Sequence, residues 1–316
     1  MKVIKFAILV VFLCLYHLLM AQNSLLHTSK ANEISFTTEN DAYLLQYKDA
    51  YYTNGLFLSY TRASKKSSFK RLNSIELGQM IYTPLNRSVN PLSLIDRPYS
   101  GLLYLQYQQT NFIKKDALFQ WSLRAGVVGE SSRGENVQNW FHAALKFKKF
   151  DGWKYQVQNA FIFNANMRYA ETVYEIPNLL KIIPIGFANL GNGFINAAAG
   201  SYFCLGIFER NKNSSLWHAS SSSTLSKLDH KHELFLFALP ELSLEVYNAT
   251  IQGELFSSNE TAVLSNINPL FFQQTIGCCF SYSQFSTKIL WVFQTRESVN
   301  QLRTQQYLSF QLNYLF

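Results

Sequence analysis

The chain runs to 316 residues with 48% hydrophobic side chains, and its 16% aromatic residues slightly outnumber its 15% charged ones, an unusual balance for a water-soluble domain. Its formal charge is +8, but no Arg/Lys-rich block with interleaved aromatics appears, which excludes nucleic acid as an expected partner. The charge suits anionic surfaces such as lipid headgroups or lipopolysaccharide, or reflects ordinary surface lysines.

Lys2 and Lys5 precede an apolar run from Phe6 to Met20 that closes in Met20-Ala21-Gln22, the layout of a secretory signal peptide. Residues 1–21 are therefore expected to be cleaved, leaving 22–316 as one mature domain. Cleavage removes two lysines and no acid, so the charge of +8 falls to +6. Cys204 and the adjacent Cys278-Cys279 remain in the mature chain. Three cysteines cannot pair completely, and no accompanying Cys-His spacing suggests a thiolate metal site.

The first strand pattern is Glu33-Ile34-Ser35-Phe36-Thr37, and it ends in Glu39-Asn40-Asp41. A second follows at once, with Tyr52-Thr53-Asn54-Gly55 leading into Leu56, Leu58 and Tyr60. The two predict a hairpin with a carboxylate and amides at one end. Period-2 stretches recur at Leu72–Met80, Leu102–Gln109, Phe119–Arg124 and Tyr155–Asn164. Between them, Ser131 to His142 breaks the alternation, and its Gln138 and His142 stand four apart, on one face of a helix or a strand.

Asn211 to His232, rich in Ser, Lys and His, reads as an external loop or a lid. Further loops are expected around 62–71, 84–98 and 129–137. Phe271–Tyr282, Phe285–Gln294 and Gln305–Phe316 alternate again. In the last, Leu308, Phe310, Leu312, Tyr314 and Phe316 share one face, and Ser309, Gln311 and Asn313 share the other.

The longest later apolar stretches, such as Leu234–Leu239, fall far below the roughly 20 residues of a membrane-spanning helix. About twelve strands that alternate apolar residues with Gln, Asn, Ser and Thr suit a lipid-facing outside and a polar lumen. Closure removes the sheet edges that lipid would not tolerate. The expectation is an all-β, closed antiparallel transmembrane β-barrel of residues 22–316, with extracellular loops, a short helical segment near His142 and a bacterial outer-membrane location.

Five stretches together resemble the outer-membrane lipid A 3′-O-deacylases. They are Asn40-Asp41, Tyr52-Thr53-Asn54-Gly55, Ile81-Tyr82-Thr83-Pro84, Asp96-Arg97-Pro98-Tyr99, and Gln138-Asn139 with His142. The resemblance spans about residues 33–160 and implies a twelve-stranded barrel that hydrolyses a 3′-linked acyl ester of lipid A with Ca²⁺. It implies His142 as general base toward water, with Gln138, Asn40 and Thr53 assisting, and Asp41 with Asn40 on the metal side through hard oxygen ligands.

The metal would polarise the ester carbonyl. Arg97 and Arg87 are candidate contacts to lipid A phosphate. The chain departs from the family at Lys148, where the family carries a glutamate, so either another carboxylate such as Asp151 or Glu130 completes the metal site or metal binding is weaker or absent. The expected partners are lipid A or lipopolysaccharide and outer-membrane lipid, with the protein a monomer. Two alternatives stay open: a phospholipase using Ser100, and a non-enzymatic porin or adhesin in which Asn40, Asp41 and His142 line a lumen.

Overall fold

A computed structural model of the protein describes residues 30–45, 50–64, 69–113, 116–145, 149–223, 228–255 and 262–316. The expected signal peptide and Lys148 lie outside the described residues. The strands are β1 (Asn32–Asn40), β2 (Tyr51–Ala63), β3 (Arg71–Thr83), β4 (Ser100–Ile113), β5 (Ala117–Val128), β6 (Ala160–Glu171), β7 (Tyr174–Ile176), β8 (Leu180–Gly191), β9 (Phe194–Ile207), β10 (His232–Asn248), β11 (Leu270–Tyr282), β12 (Phe285–Gln294) and β13 (Gln305–Leu315).

Sequence neighbours pair antiparallel along the sheet, β1 also pairs with β13, and β6 pairs directly with β8. The ring therefore closes with twelve staves, and β7 is a three-residue arm on β8. No helix among the described residues is long and apolar enough to cross a membrane. Closure lets every strand satisfy its backbone groups in the ladder, the condition for standing in lipid.

The period-2 pattern decides which way side chains point. Ile34, Phe36, Leu58, Tyr60, Ile75 and Leu77 are exposed, and the registers Ile34↔Tyr60↔Ile75 and Phe36↔Leu58↔Leu77 set them side by side. They form the apolar outer wall. The opposite parity fills the lumen, with Glu33, Ser35, Ser309 and Asn313 buried. The faces of β13 divide as the sequence predicts.

Two sequence expectations change. The link after β5 runs from Gly129 to Asn159, and holds helix α1 (Gly134–Leu145) and a 3-10 turn at Asp151–Tyr155. The strand expected from Tyr155 therefore starts only at Ala160. Asn159 is spent accepting a bond from Ser131 N–H at 2.6 Å, which staples the two ends of that link.

The second change concerns Asn211 to His232, whose described residues 211–223 and 228–232 form neither an external loop nor a lid. It lies at the end that carries the start of β1, the end of β13 and the shorter turns, the periplasmic end in barrels of this type. Its first half folds into the lumen. Leu216, Trp217 and Ala219 join Phe235, Phe237, Cys204 and Cys279 in one apolar core.

Wall residues pin this plug. Both Glu233 carboxylate oxygens accept from Ser214 and Ser215 at 2.7 Å, Lys288 Nζ donates to Leu216 O at 2.9 Å, and His218 Nδ1 meets Glu33 at 2.6 Å. The polar Ser-rich composition serves buried partners. The lower lumen is thus an apolar core, not the polar channel that strand alternation suggests.

Candidate active site

The outer-wall parity of β1 runs Ile34, Phe36, Thr38, Asn40. Asn40 therefore points outward, and it faces Asn54 of β2, which in turn faces Ile81 of β3 and Gly101 of β4. Two amides thus stand above a wall that turns wholly apolar four residues lower along the strands, roughly 14 Å, at the row Phe36, Leu58, Leu77 and Leu105. A polar patch on a lipid-facing wall costs free energy unless covered or used.

Thr53 joins this patch through a bulge. The β2–β3 register slips between Tyr52 and Asn54, so Thr53 is the extra residue that a bulge leaves on the same side as its neighbour. Its hydroxyl meets Thr83 Oγ1 at 2.7 Å, and Thr83 shares the outward parity of Ile81. Thr53 therefore does not line the lumen, and neither does Asn40.

Helix α1 packs beside this patch, on the outside of β3 and β4. At Gly101 a Cβ would come within 2.0 Å of Ser132 Oγ and 3.1 Å of Gly134 Cα, so the helix start lies against the bare backbone of the wall. Ile81, Tyr99 and Trp153 form a cluster with Val137 and Phe150 beneath it. Gly134, Gln138 and His142 recur at every fourth position on the buried face, while Trp140 on the far face is 71% exposed.

The helical reading of the Gln138/His142 spacing is the one realised. Gln138 Oε1 accepts from the Trp153 indole at 2.8 Å. The His142 ring meets Phe150 edge-on at 4.8 Å, and the Arg87 guanidinium lies over the Phe150 ring at 3.9 Å.

Asn40 Oδ1 caps the 3-10 turn Asp41–Leu44 by accepting from Ala42 N–H at 2.7 Å. Asp41, buried, accepts from Ala50 N–H at 2.7 Å. Asn40, Asp41 and Thr53 thus belong to the β1–β2 side of the site, and Gln138, His142 and Arg87 to the helix side.

Arg97 is placed elsewhere. It is fully buried on the lumen side, over the Tyr82 ring at 4.1 Å, donating to Thr250 at 3.1 Å and 3.7 Å from Glu297. Burial lowers its guanidinium pKa and raises that of the Glu297 carboxyl. It ties three upper loops together and does not reach the outer groove, which corrects its reading as a phosphate contact.

Ser100 pairs with Tyr82 and also faces inward, buried, on the opposite side of the wall from His142. Tyr51 and Asp96, which the sequence reading did not assign, bond at 2.7 Å and hold the β2 start against the loop before β4. Burial pushes the Tyr99 hydroxyl up to about 12, against the opposing pull of Arg87. It stays protonated at any physiological pH.

The donor set toward calcium is right in kind and short in number. Asp41 and Asn40 offer hard oxygens, but the single side-chain oxygen of Asn40 and one oxygen of Asp41 already accept a backbone N–H, and no group of three His, Cys, Asp or Glu among the described residues could hold a metal. Glu130 and Asp151 line a cavity of about 1030 Å³ with Glu135, Asn139, Phe150 and Trp153.

A family model described as outer membrane protein LpxR matches residues 6–316. Among solved structures, the chain is similar to LpxR from Salmonella typhimurium at 20% identity and a TM-score of 0.73, covering 90% of this chain and 100% of that one. At that identity the match shows the fold. The chain also overlays on the beta domain of the Bordetella autotransporter BrkA at 11% identity and a TM-score of 0.47, covering 92% and 99%. No curated protein matches.

Proposed function

Because this chain belongs to the LpxR family of outer-membrane proteins, we propose that it is a lipid A deacylase that hydrolyses a 3′-linked acyl ester in the outer leaflet. One observation carries the reading: a histidine and a glutamine are buried on the face of a helix that packs outside β3 and β4, beside the strands that carry the outward-facing amides Asn40 and Asn54. A soluble substrate gains nothing from such a site, whereas a membrane lipid reaches it by lateral diffusion. The amides stand above an apolar row, the depth at which a lipid carries its acyl esters.

In this reading His142 takes a proton from water as the water oxygen attacks the ester carbonyl carbon. The tetrahedral intermediate then expels the sugar alkoxide, which takes the proton back from the imidazolium. The products are a free acid and a sugar hydroxyl. Gln138, held by Trp153, positions the helix side, Thr53 and Asn40 supply polar hydrogens toward the developing oxyanion, and Arg87 is the remaining candidate for a phosphate. Calcium belongs to the proposal with Asp41 and Asn40 as two ligands, and when bound it would polarise the carbonyl.

The test is mass spectrometry of lipid A incubated with the purified protein. Loss of the 3′-acyl group is expected, and His142→Ala should slow it by about 10²–10⁴-fold with the heat resistance of the barrel kept. Chelation should stop hydrolysis and added Ca²⁺ restore it. Full activity of His142→Ala removes the general base, and hydrolysis indifferent to chelation removes the metal.

A further inference from the structure

Directly below the two amides, the register aligns Phe310, Thr38, Leu56, Gln79 and Leu103 across β13, β1, β2, β3 and β4. Its two polar members are both engaged. The Thr38 hydroxyl meets Tyr43 OH at 2.8 Å, and the Tyr43 ring lies edge-on to Phe310 at 5.4 Å. On the other side, Gln79 Nε2 donates to Ser132 O at 2.7 Å, under the overhang that carries α1.

Leu56, half-buried, is left between them as bare floor. Below it comes Leu58, 50% exposed, in the wholly apolar row. Tyr43 sits in the same 3-10 turn as Asp41, so one rigid turn supplies both a carboxylate at the site and an aromatic wall below it.

The geometry points to a lane for one fatty acyl chain, running from Asn40 and Asn54 down over Leu56 and Leu58, with Tyr43 as a specificity-determining wall. The lane is bounded by β1 and β3, two strand spacings or roughly 10 Å apart, and side chains at both edges narrow it further. Its floor continues the lipid-facing wall, so its occupant is an alkyl chain of a membrane lipid. This rests on the deacylase reading for the identity of the chain, which is the acyl group being released. A linear chain seated here places its ester carbonyl between the amide patch and the helix.

Two measurements separate the lane from the chemistry. In proteoliposomes containing lipid A with diazirine-tailed acyl chains, photolabelling should be several-fold richer on residues 32–45 and 51–63 than on residues 232–248 of the opposite wall. Tyr43→Ala and Leu56→Trp should each even it out, and Tyr43→Phe should keep most of it. With lipid A species of long and short acyl chains in competition, Tyr43→Ala should lower the ratio of their kcat/KM values about tenfold.

Even labelling of the two walls in the wild type overturns the lane, whether or not hydrolysis occurs. Unchanged labelling and unchanged chain preference in Tyr43→Ala overturn the role of Tyr43. Rich labelling without hydrolysis keeps the lane and overturns the deacylase reading alone.

Discussion

Trp153 is the residue on which the helix side of the site turns. Its indole donates to Gln138 at 2.8 Å and its rings tilt against Tyr99 at 5.3 Å, with both Gln138 and Trp153 buried. Trp153→Phe keeps an aromatic there and withdraws the donor. A buried acceptor left bare costs about 1–3 kcal/mol, enough to let Gln138 leave its position. The expected outcome is a roughly tenfold lower kcat for lipid A hydrolysis with KM and the melting of the barrel little changed, whereas an unaltered kcat would show that Gln138 needs no anchor. The pairing of Gln138 with His142 was legible because a spacing of four is local. The side of the wall on which they act was not, because parity near the rim depends on one extra residue at Thr53, and a single-residue slip reverses every side chain. Arg97 misled for a similar reason: its partners Thr250 and Glu297 are remote in sequence, so nothing local distinguishes a loop tie from a phosphate contact.

At the scale of elements, the joint between α1 and β4 carries the most function per contact. Gly101 is the place where helix and wall approach without a side chain between them, and Ser132, its nearest neighbour, is buried with its hydroxyl donating to Gly129 O. Gly101→Ala should push α1 off the wall while leaving the β4 ladder intact. Hydrolysis should drop at least tenfold and protease cleavage within residues 129–159 should rise, with no change in the heat resistance of the barrel. Unchanged cleavage and rate would mean that the loop absorbs the methyl group. Strands β11 to β13 were readable because apolar residues alternate with polar ones over part of each, most cleanly on β13, where Ser309, Gln311 and Asn313 interleave with Leu308, Phe310, Leu312 and Tyr314. Strands β8 and β9 were not, since Pro184, Gly186 and the run Ala197-Ala198-Ala199-Gly200 give small residues on both faces and leave no periodicity to detect. The plug was misread from its composition: Ser, Lys and His look solvated until Glu233, Lys288 and Glu33 are seen waiting for them in the lumen.

For the whole molecule, the plug decides between a channel and a sealed wall. An apolar core around Trp217 spans the lower lumen, so the porin reading loses its path. The barrel then serves as a rigid frame whose outer face does the work. The seal has its own pH dependence through Lys70, which donates to Ala219 O at 2.5 Å. Burial, with a smaller push from Lys212 and an opposing pull from Glu33, lowers the Lys70 amine to about 7 from its ordinary 10.5. Between those two values the seated plug holds fewer protons than a released one, so seating strengthens as pH rises through that window and is flat below about 7. Hydrogen exchange of residues 209–223, corrected for the intrinsic pH dependence of exchange, should therefore show protection growing from about pH 7 to pH 9. Lys70→Met, which keeps the stem and removes the titrating group, should abolish that growth. Equal slopes in the two proteins would mean that the seal is set by the Trp217 core alone, with the amine a bystander.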